Sequence, residues 1–336
     1  MQKSFVRYAL AGALTVLLGS IPSANAQEIE LRVSHFLPPN HTFQKAMVAW
    51  GELLEKESKG RLKLRIYPAG QLGGPANRQF DAARNGITDI AIGLHGATPN
   101  RYQMTELVSL PFAGPSLGAT SAIMSRRLTE LAPTYLAKEH EGIRILWMAV
   151  TPRLMFHSKA SITKVEDFKG LRVRYAGIQF KNIIDSLGAS PLLVPPQEAQ
   201  DSLSKGIIDA ATFPYEGAAS FGLGTVAKFS LEPGVAAATF AVVMNPAKYD
   251  ALPADLKALI DKTTGAAAAE AFGKMLDEAE IHGKSDLISK GVTVNVLNDD
   301  ELSKLKKILA PQVEAAIGEV EKKDSAARKF FQEFSK

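Results

Sequence analysis

The chain has 336 residues, with 39 Lys+Arg against 35 Asp+Glu, 46% hydrophobic residues, 22% charged residues and no cysteine. These proportions exclude a disordered, collagenous or coiled-coil chain, and the length suits two domains. Without cysteine there is no disulfide, no thiolate metal or iron–sulfur ligation and no thiol nucleophile.

Lys3 and Arg7 precede an apolar run from Tyr8 to Leu18, and Ala24-Asn25-Ala26 forms an A-x-A cleavage site. This is the pattern of a secretory signal peptide over residues 1–26. The run is shorter than the ~20 residues that span a bilayer. Lys3 and Arg7 are the only charges in that segment, so cleavage leaves residues 27–336 at +2 instead of +4. So balanced a charge gives no footing for nucleic acid or an anionic membrane. No later stretch has 18 uninterrupted apolar residues. An exported protein that is not membrane-embedded is expected, and the absence of cysteine suits a Gram-negative periplasm.

Strand and helix signals then alternate. Leu31–Ser34 alternates as a strand does. Phe43, Met47, Trp50 and Leu54 fall on one helical face that ends at Gly60. Leu62–Ile66 is a strand, 75–85 a helix and Thr88–Gly93 a buried strand. This order predicts a mostly parallel sheet covered by helices. A helix runs from about Ser116 to Lys138, ended or kinked by Pro133. Strand 143–150 follows, and the alternation restarts: strand 171–175, helix 180–187, strand 192–194, helix 197–205 and strand 207–211. Ala236–Met244 is another β-prone run. A long Ala-rich helical region covers about 254–289, 292–297 is a last strand, and helices at about 301–321 and 326–334 close the chain. No sequence repeat and no low-complexity linker is visible. The fold class is α/β with two lobes: residues 27–150 plus about 239–278 in lobe I, and 151–238 plus about 279–336 in lobe II. A ligand cleft lies between them, where strand carboxyl ends converge.

Motifs for catalysis are missing. There is no G-x-S-x-G, H-E-x-x-H or Walker A segment. Gly222-Leu223-Gly224-Thr225-Val226-Ala227 has dinucleotide-loop spacing but does not follow the first strand of a βαβ unit. The six histidines include no i, i+4 pair and no metal-like cluster. Asp89, Asp209 and Glu216 read as unpaired strand-end or loop carboxylates. Neither a catalytic group, a cofactor nor a metal is expected, and the chain reads as no enzyme.

The informative stretch is Glu166-Asp167-Phe168-Lys169-Gly170-Leu171-Arg172-Val173-Arg174. It resembles the D-(L/F)-K-G-(L/K)-(K/R)-(I/V)-R signature of the solute-binding proteins of tripartite ATP-independent periplasmic (TRAP) transporters, the DctP-like family. Further matches fall in order: Gly70-Gln71-Leu72-Gly73, Leu110-Pro111-Phe112, Leu187-Gly188-Ala189, Glu198 with Leu203, Gly206 and Asp209, and Leu252-Pro253. The resemblance implies a periplasmic-binding-protein-like fold with a long helix spanning both lobes. It also implies a receptor that takes a small organic acid and delivers it to TRAP membrane subunits. It selects Arg174 as the residue that forks the ligand carboxylate, with Arg172 at the rim; alternation alone puts both on one face. Arg153 matches the family's second arginine.

Where family members carry an amide before proline, this chain has Phe213. The exchange removes a polar contact and adds a stackable surface, which favours an acid with an aromatic or branched apolar body. Tyr215 adds a hydroxyl. Glu216 either accepts from a ligand hydroxyl or ammonium or caps a helix. Asn40, His41, Gln71 and His95 lie on loops at strand ends of lobe I and are the candidates for the opposite wall. A monomer is the default. A sensor-type binding module and an exported enzyme are the rival uses of such a cleft.

Overall fold

The computed structural model describes residues 28–336, so the expected signal peptide lies outside the described residues. The strands are β1 (Ile29–His35), β2 (Leu62–Tyr67), β3 (Ile90–Leu94), β4 (Arg144–Arg153), β5 (Met155–Ser158), β6 (Arg172–Tyr175), β7 (Ser190–Leu193), β8 (Ala210–Phe213), β9 (Phe229–Glu232), β10 (Ala237–Met244) and β11 (Thr293–Val296). They form two sheets, ordered β2-β1-β3-β10-β4 and β11-β9-β5-β8-β6-β7. The β1–β2, β1–β3, β6–β7 and β6–β8 pairs are parallel, and β10 runs antiparallel to both its neighbours.

Every anticipated strand is present within a few residues. β5 and β9 are additional. Each is four residues long, and β5 is separated from β4 only by Leu154. That residue is where the chain leaves one sheet for the other. The return from β9 to β10 runs beside it, with the Leu154 N–H donating to the Ala236 carbonyl at 2.8 Å.

Burial explains why β10 reads as a continuous apolar run. Ala238, Phe240, Val242 and Met244 face one core, while Ala237, Ala241 and Val243 face another. A strand covered on both faces has no polar side to alternate with. Phe43, from the helix Thr42–Glu57, meets Phe240 at 4.7 Å and Phe272 at 4.5 Å between ring centroids. Such pairs contribute about 0.5–1.5 kcal/mol each beyond their buried area.

The two lobes share a local device that sequence comparison does not reveal. In lobe I, Asp89 accepts from the Arg32 backbone N–H at 2.8 Å and from its Nε at 3.1 Å and Nη2 at 3.2 Å. In lobe II, Asp209 accepts from the same three groups of Arg172, at 2.8, 2.9 and 2.8 Å. The carboxylates read as unpaired are therefore clamps that lock the strand following each Asp beside β1 or β6. The matching positions two residues on are Ser34 and Arg174.

The Ala-rich region divides at Thr264-Gly265, where Gly265 adopts φ +80°, into helices Ala254–Thr263 and Ala266–Ser289. The second, 24 residues long, spans both lobes. Its Asp277 accepts from the N–H groups of Ser121 (2.8 Å) and Ala122 (3.1 Å), at the start of the lobe I helix Ser121–Tyr135. Less than one turn on, Glu280 accepts from the N–H groups of Tyr215 (2.8 Å) and Glu216 (2.9 Å) in lobe II. One helix thus satisfies donors that the start of a helix in each lobe leaves open. Gly273 and Gly283 let those helices approach: a Cβ on Gly273 would overlap the Ala122 backbone, and one on Gly283 would lie 2.5 Å from the Tyr215 carbonyl oxygen.

The C-terminal tail, placed with lobe II by sequence, divides between the lobes. Glu301 accepts from the Val165 N–H at 2.7 Å and Gln312 donates to the Gln179 carbonyl at 3.1 Å, both in lobe II. Ile317, Val320, Phe330 and Phe334 then enter the outer core of lobe I. Apolar periodicity shows that these helices bury a face; it does not show against which lobe.

The lobes touch across the cleft. A Cβ on Gly96 would come 2.8 Å from the Cα of Gly177. Glu106 of lobe I is buried beside that glycine, and its carboxyl makes no hydrogen bond or ion pair among the described residues. Burial first, and then the charge of Glu139, push its carboxyl up to about 7.

Two predictions follow from this packing. Gly273→Ala destabilises the fold by about 1–3 kcal/mol through overpacking. Gly318→Ala, where a Cβ meets nothing within 4 Å in helix Asp299–Glu321, stabilises it by about 0.5–1 kcal/mol. Urea melts of the two helical variants should therefore shift in opposite directions. The second concerns pH. A carboxyl raised in the native state binds its proton more tightly there than in the unfolded chain. The associated stability is complete below the unfolded value near 4.5 and is lost as pH rises through about 7. Glu106→Gln should gain about 1–3 kcal/mol over the parent at pH 8 and nothing at pH 4. Equal gains at both pH values would exclude a buried ionisable Glu106.

Candidate functional site

Between the lobes lies a cavity. Its walls are mostly aromatic and aliphatic. Phe36, Leu94 and Phe240 come from lobe I, and Phe213, Pro214 and Phe221 from lobe II. The carboxyl ends of β1, β3, β6 and β8 open onto it, as expected where parallel strands end.

Arg174 is the exceptional member of this wall. It is 2% exposed, with no carboxylate partner among the described residues. Its Nε donates to the Val194 carbonyl at 3.0 Å and its Nη1 to the Thr212 carbonyl at 2.8 Å. Its guanidinium carbon sits 4.1 Å from the centroid of the Phe213 ring. Nη2 makes neither of these hydrogen bonds. Burial lowers the guanidinium to about 9, which still leaves it charged at neutral pH. Carbonyl dipoles and a ring face orient the group but do not neutralise it. A buried cation needs an anion to offset its lost hydration, and the planar fork fits a carboxylate. Arg172, by contrast, is exposed and engaged with Asp209.

Glu216 also lines the cavity. It is 5% exposed. Oε1 accepts from the Thr42 N–H at 2.9 Å, the Thr42 hydroxyl at 2.8 Å and the Ser220 hydroxyl at 3.3 Å. Oε2 lies 3.3 Å from His41 Nε2. His41 Nδ1 accepts from the Phe43 N–H at 3.3 Å, so the proton of its neutral ring is on Nε2. Burial lowers His41 below the ordinary histidine value. Glu216 of lobe II is thereby fastened to the start of the first helix of lobe I. Gln197 adds a second link, donating to the Phe36 carbonyl at 2.9 Å.

Of the nine residues singled out by sequence, Arg174, Phe213, Glu216 and His41 meet in this wall. The other five stand elsewhere. Arg153 points away and donates to four backbone carbonyls, those of Leu117 (3.1 Å), Val235 (3.2 Å), Ala113 (2.8 Å) and Ser116 (3.0 Å), which ties loops of the hinge region together. His95 is fully buried in lobe I, with Nδ1 2.9 Å from the Thr239 carbonyl and Nε2 3.0 Å from His140 Nε2. Tyr215 is turned into lobe II against His157, ring centroids 5.4 Å apart. Asn40 sits at the rim, where Nδ2 donates to the Ser220 carbonyl at 3.4 Å. Gln71 is exposed on a turn. Thr42, Gln197, Phe36, Phe221 and Phe240 were not anticipated. Phe36 had a usable signal, since it directly follows the first strand. Phe240 is hidden inside an apolar run.

The profile of the bacterial extracellular solute-binding proteins, family 7 (DctP), matches residues 33–319. A TRAP solute-binding protein from Rhodoferax ferrireducens, solved with copurified benzoate, is 28% identical, with a TM-score of 0.86 over 91% of this chain and 96% of that one. A marine-metagenome TRAP solute-binding protein specific for aromatic acids, solved with 3-hydroxybenzoate, is 27% identical, with a TM-score of 0.85 over 92% of this chain and 100% of that one. The C4-dicarboxylate-binding periplasmic protein DctP of Rhodobacter capsulatus is 24% identical over 81% of each chain. Among the described residues no helix is long and apolar enough to cross a membrane. The two-lobed fold, the buried cation in the cleft and the profile match agree: this chain belongs to the DctP family of solute-binding proteins, the receptors that bind small organic acids and deliver them to TRAP transporters.

Proposed function

We propose that this receptor captures an aromatic monocarboxylic acid in the periplasm, after export by a cleaved signal peptide, and that it performs no chemistry on its ligand. The observation that carries the reading is Arg174, a buried guanidinium without a counter-ion, set in a wall of aromatic and aliphatic side chains. The ligand carboxylate pairs with Arg174, and its ring takes the apolar space between Phe36, Phe213 and Phe240. The aromatic acids held by the two similar structures support this assignment. So does Phe213 beside the cation, where an amide would have offered a polar partner. Arg153 is assigned to holding the hinge loops, because its donors are already taken by carbonyls.

Isothermal titration with benzoate and its ring-substituted relatives tests the proposal. The parent protein should bind, and at about 100 times the dissociation constant the ligand should add about 2.7 kcal/mol to the melt. Arg174→Met should fold and lose about 3–5 kcal/mol of binding, as when one partner of a buried ion pair is removed. Arg174→Lys should recover little, because a point charge cannot fork a carboxylate. Benzoate binding by folded Arg174→Met at the parental affinity rules out the assignment.

A further inference from the structure

The carboxylate that faces the same cavity as Arg174 is not fully used. Three donors converge on Glu216 Oε1, from Thr42 and Ser220. Among the described residues no hydrogen bond reaches Oε2, and His41 Nε2 lies 3.3 Å from it. A carboxylate oxygen takes two hydrogen bonds with ease. The geometry also fixes the polarity of this spot. The Thr42 N–H can only donate. The His41 ring has its lone pair committed to the Phe43 N–H, so its other nitrogen donates as well. Glu216 is thus an acceptor toward everything around it. Glu216 and His41 are each 5% exposed and both line the cavity.

Resting on the aromatic-acid reading above, we infer that Glu216 is the specificity-determining residue of the cavity that Arg174 also lines: Oε2 accepts from a hydroxyl on the ligand's ring. The preferred ligand is then a hydroxylated aromatic monocarboxylate. The cavity wall thus carries one cation and one acceptor. A molecule with one carboxylate and one O–H donor satisfies both. A second carboxylate in place of the hydroxyl meets an acceptor that has no proton to give, with like charges brought together in an apolar enclosure. The same residue therefore selects for the hydroxyl and against the diacid.

The test uses the purified receptor and four probes: benzoate, 3-hydroxybenzoate, 4-hydroxybenzoate and isophthalate. In the parent protein at least one hydroxybenzoate should bind about tenfold or more tightly than benzoate, the effect of a hydrogen bond to a charged acceptor. Isophthalate should bind more weakly than benzoate. Glu216→Gln presents an amide N–H₂ or a weaker acceptor in that place, so it should bring the hydroxybenzoate-to-benzoate ratio to about one and lessen the rejection of isophthalate. Glu216 also fastens the lobes, so the variant can lose affinity for every probe. The ratio separates the two roles. Thr42→Val weakens the same fastening without touching Oε2, and should lower all affinities while preserving the ratio.

A parent protein that binds benzoate and both hydroxybenzoates equally overturns the inference and leaves the aromatic-acid reading intact. So does a ratio that survives Glu216→Gln. Failure of the parent to bind any of the four defeats both. If Glu216→Gln does not fold, the ligand series on the parent decides alone, with 3-methoxybenzoate and 4-methoxybenzoate, which cannot donate, added as controls expected to gain nothing over benzoate.

Discussion

A guanidinium enclosed by hydrocarbon and held by carbonyl dipoles and a ring face is the constraint around which this cleft is arranged. Arg174 stands on β6, and its two acceptors belong to the flanking strands: the Thr212 carbonyl lies in β8 and the Val194 carbonyl just beyond β7. Only an order that places β6 between β7 and β8, all parallel, brings two strand ends to the same side chain. The ring of Phe213, next along β8, covers the remaining face of the cation. These contacts set where the charge points but leave its countercharge to be supplied from outside. The α/β topology and the ligand chemistry are therefore one problem: the alternation of strand and helix exists in lobe II to deliver that geometry.

The rest of the molecule makes such a charge tolerable. The cavity must be dry for the cation to discriminate, and dryness requires that the lobes meet closely. Gly96 and Gly177 allow backbone contact on one side. Glu216 with Thr42 and His41, and Gln197 with Phe36, seal the other. Behind the cleft, Asp277 and Glu280 hold a helix of each lobe to a common support. The segments that connect the sheets, around Leu154 and around 233–236, lie side by side. Arg153 ties the second of them, at the Val235 carbonyl, to the lobe I loop that offers the carbonyls of Ala113, Ser116 and Leu117.

The fold was largely readable because it rests on burial periodicity. Fully apolar β3 and β10 and the alternating face of the first helix are direct imprints of their surroundings. What escaped was short or non-local. β5, with its buried His157 and Ser158, carries polar residues that are satisfied by Ser230, Phe213 and Ala160 and so does not resemble a core strand. The matched Arg–Asp clamps join residues 57 and 37 positions apart, a relation that appears only when the strands are paired. At the site, the family-like strand identified Arg174, and loop position identified His41. Arg153 and His95 looked equally plausible by type and place. Their side chains are engaged elsewhere, Arg153 with four backbone carbonyls and His95 with Thr239 and His140, contacts that spacing does not reveal.

The equivalence of Ser34 and Arg174 has a consequence for handedness of function. The two lobes are built on the same clamp, yet at the position two residues beyond it one carries a cation and the other a small hydroxyl, which is occupied internally by Gln79 and the Gly73 N–H. Attraction for an anion is thus entirely one-sided. On the proposed pairing with Arg174, a bound acid stays moored to lobe II when the cleft opens, and lobe I departs as a cover with little electrostatic hold on it. Unloading into a membrane partner then needs only that partner to reach a single half of the receptor, the half that keeps the cargo.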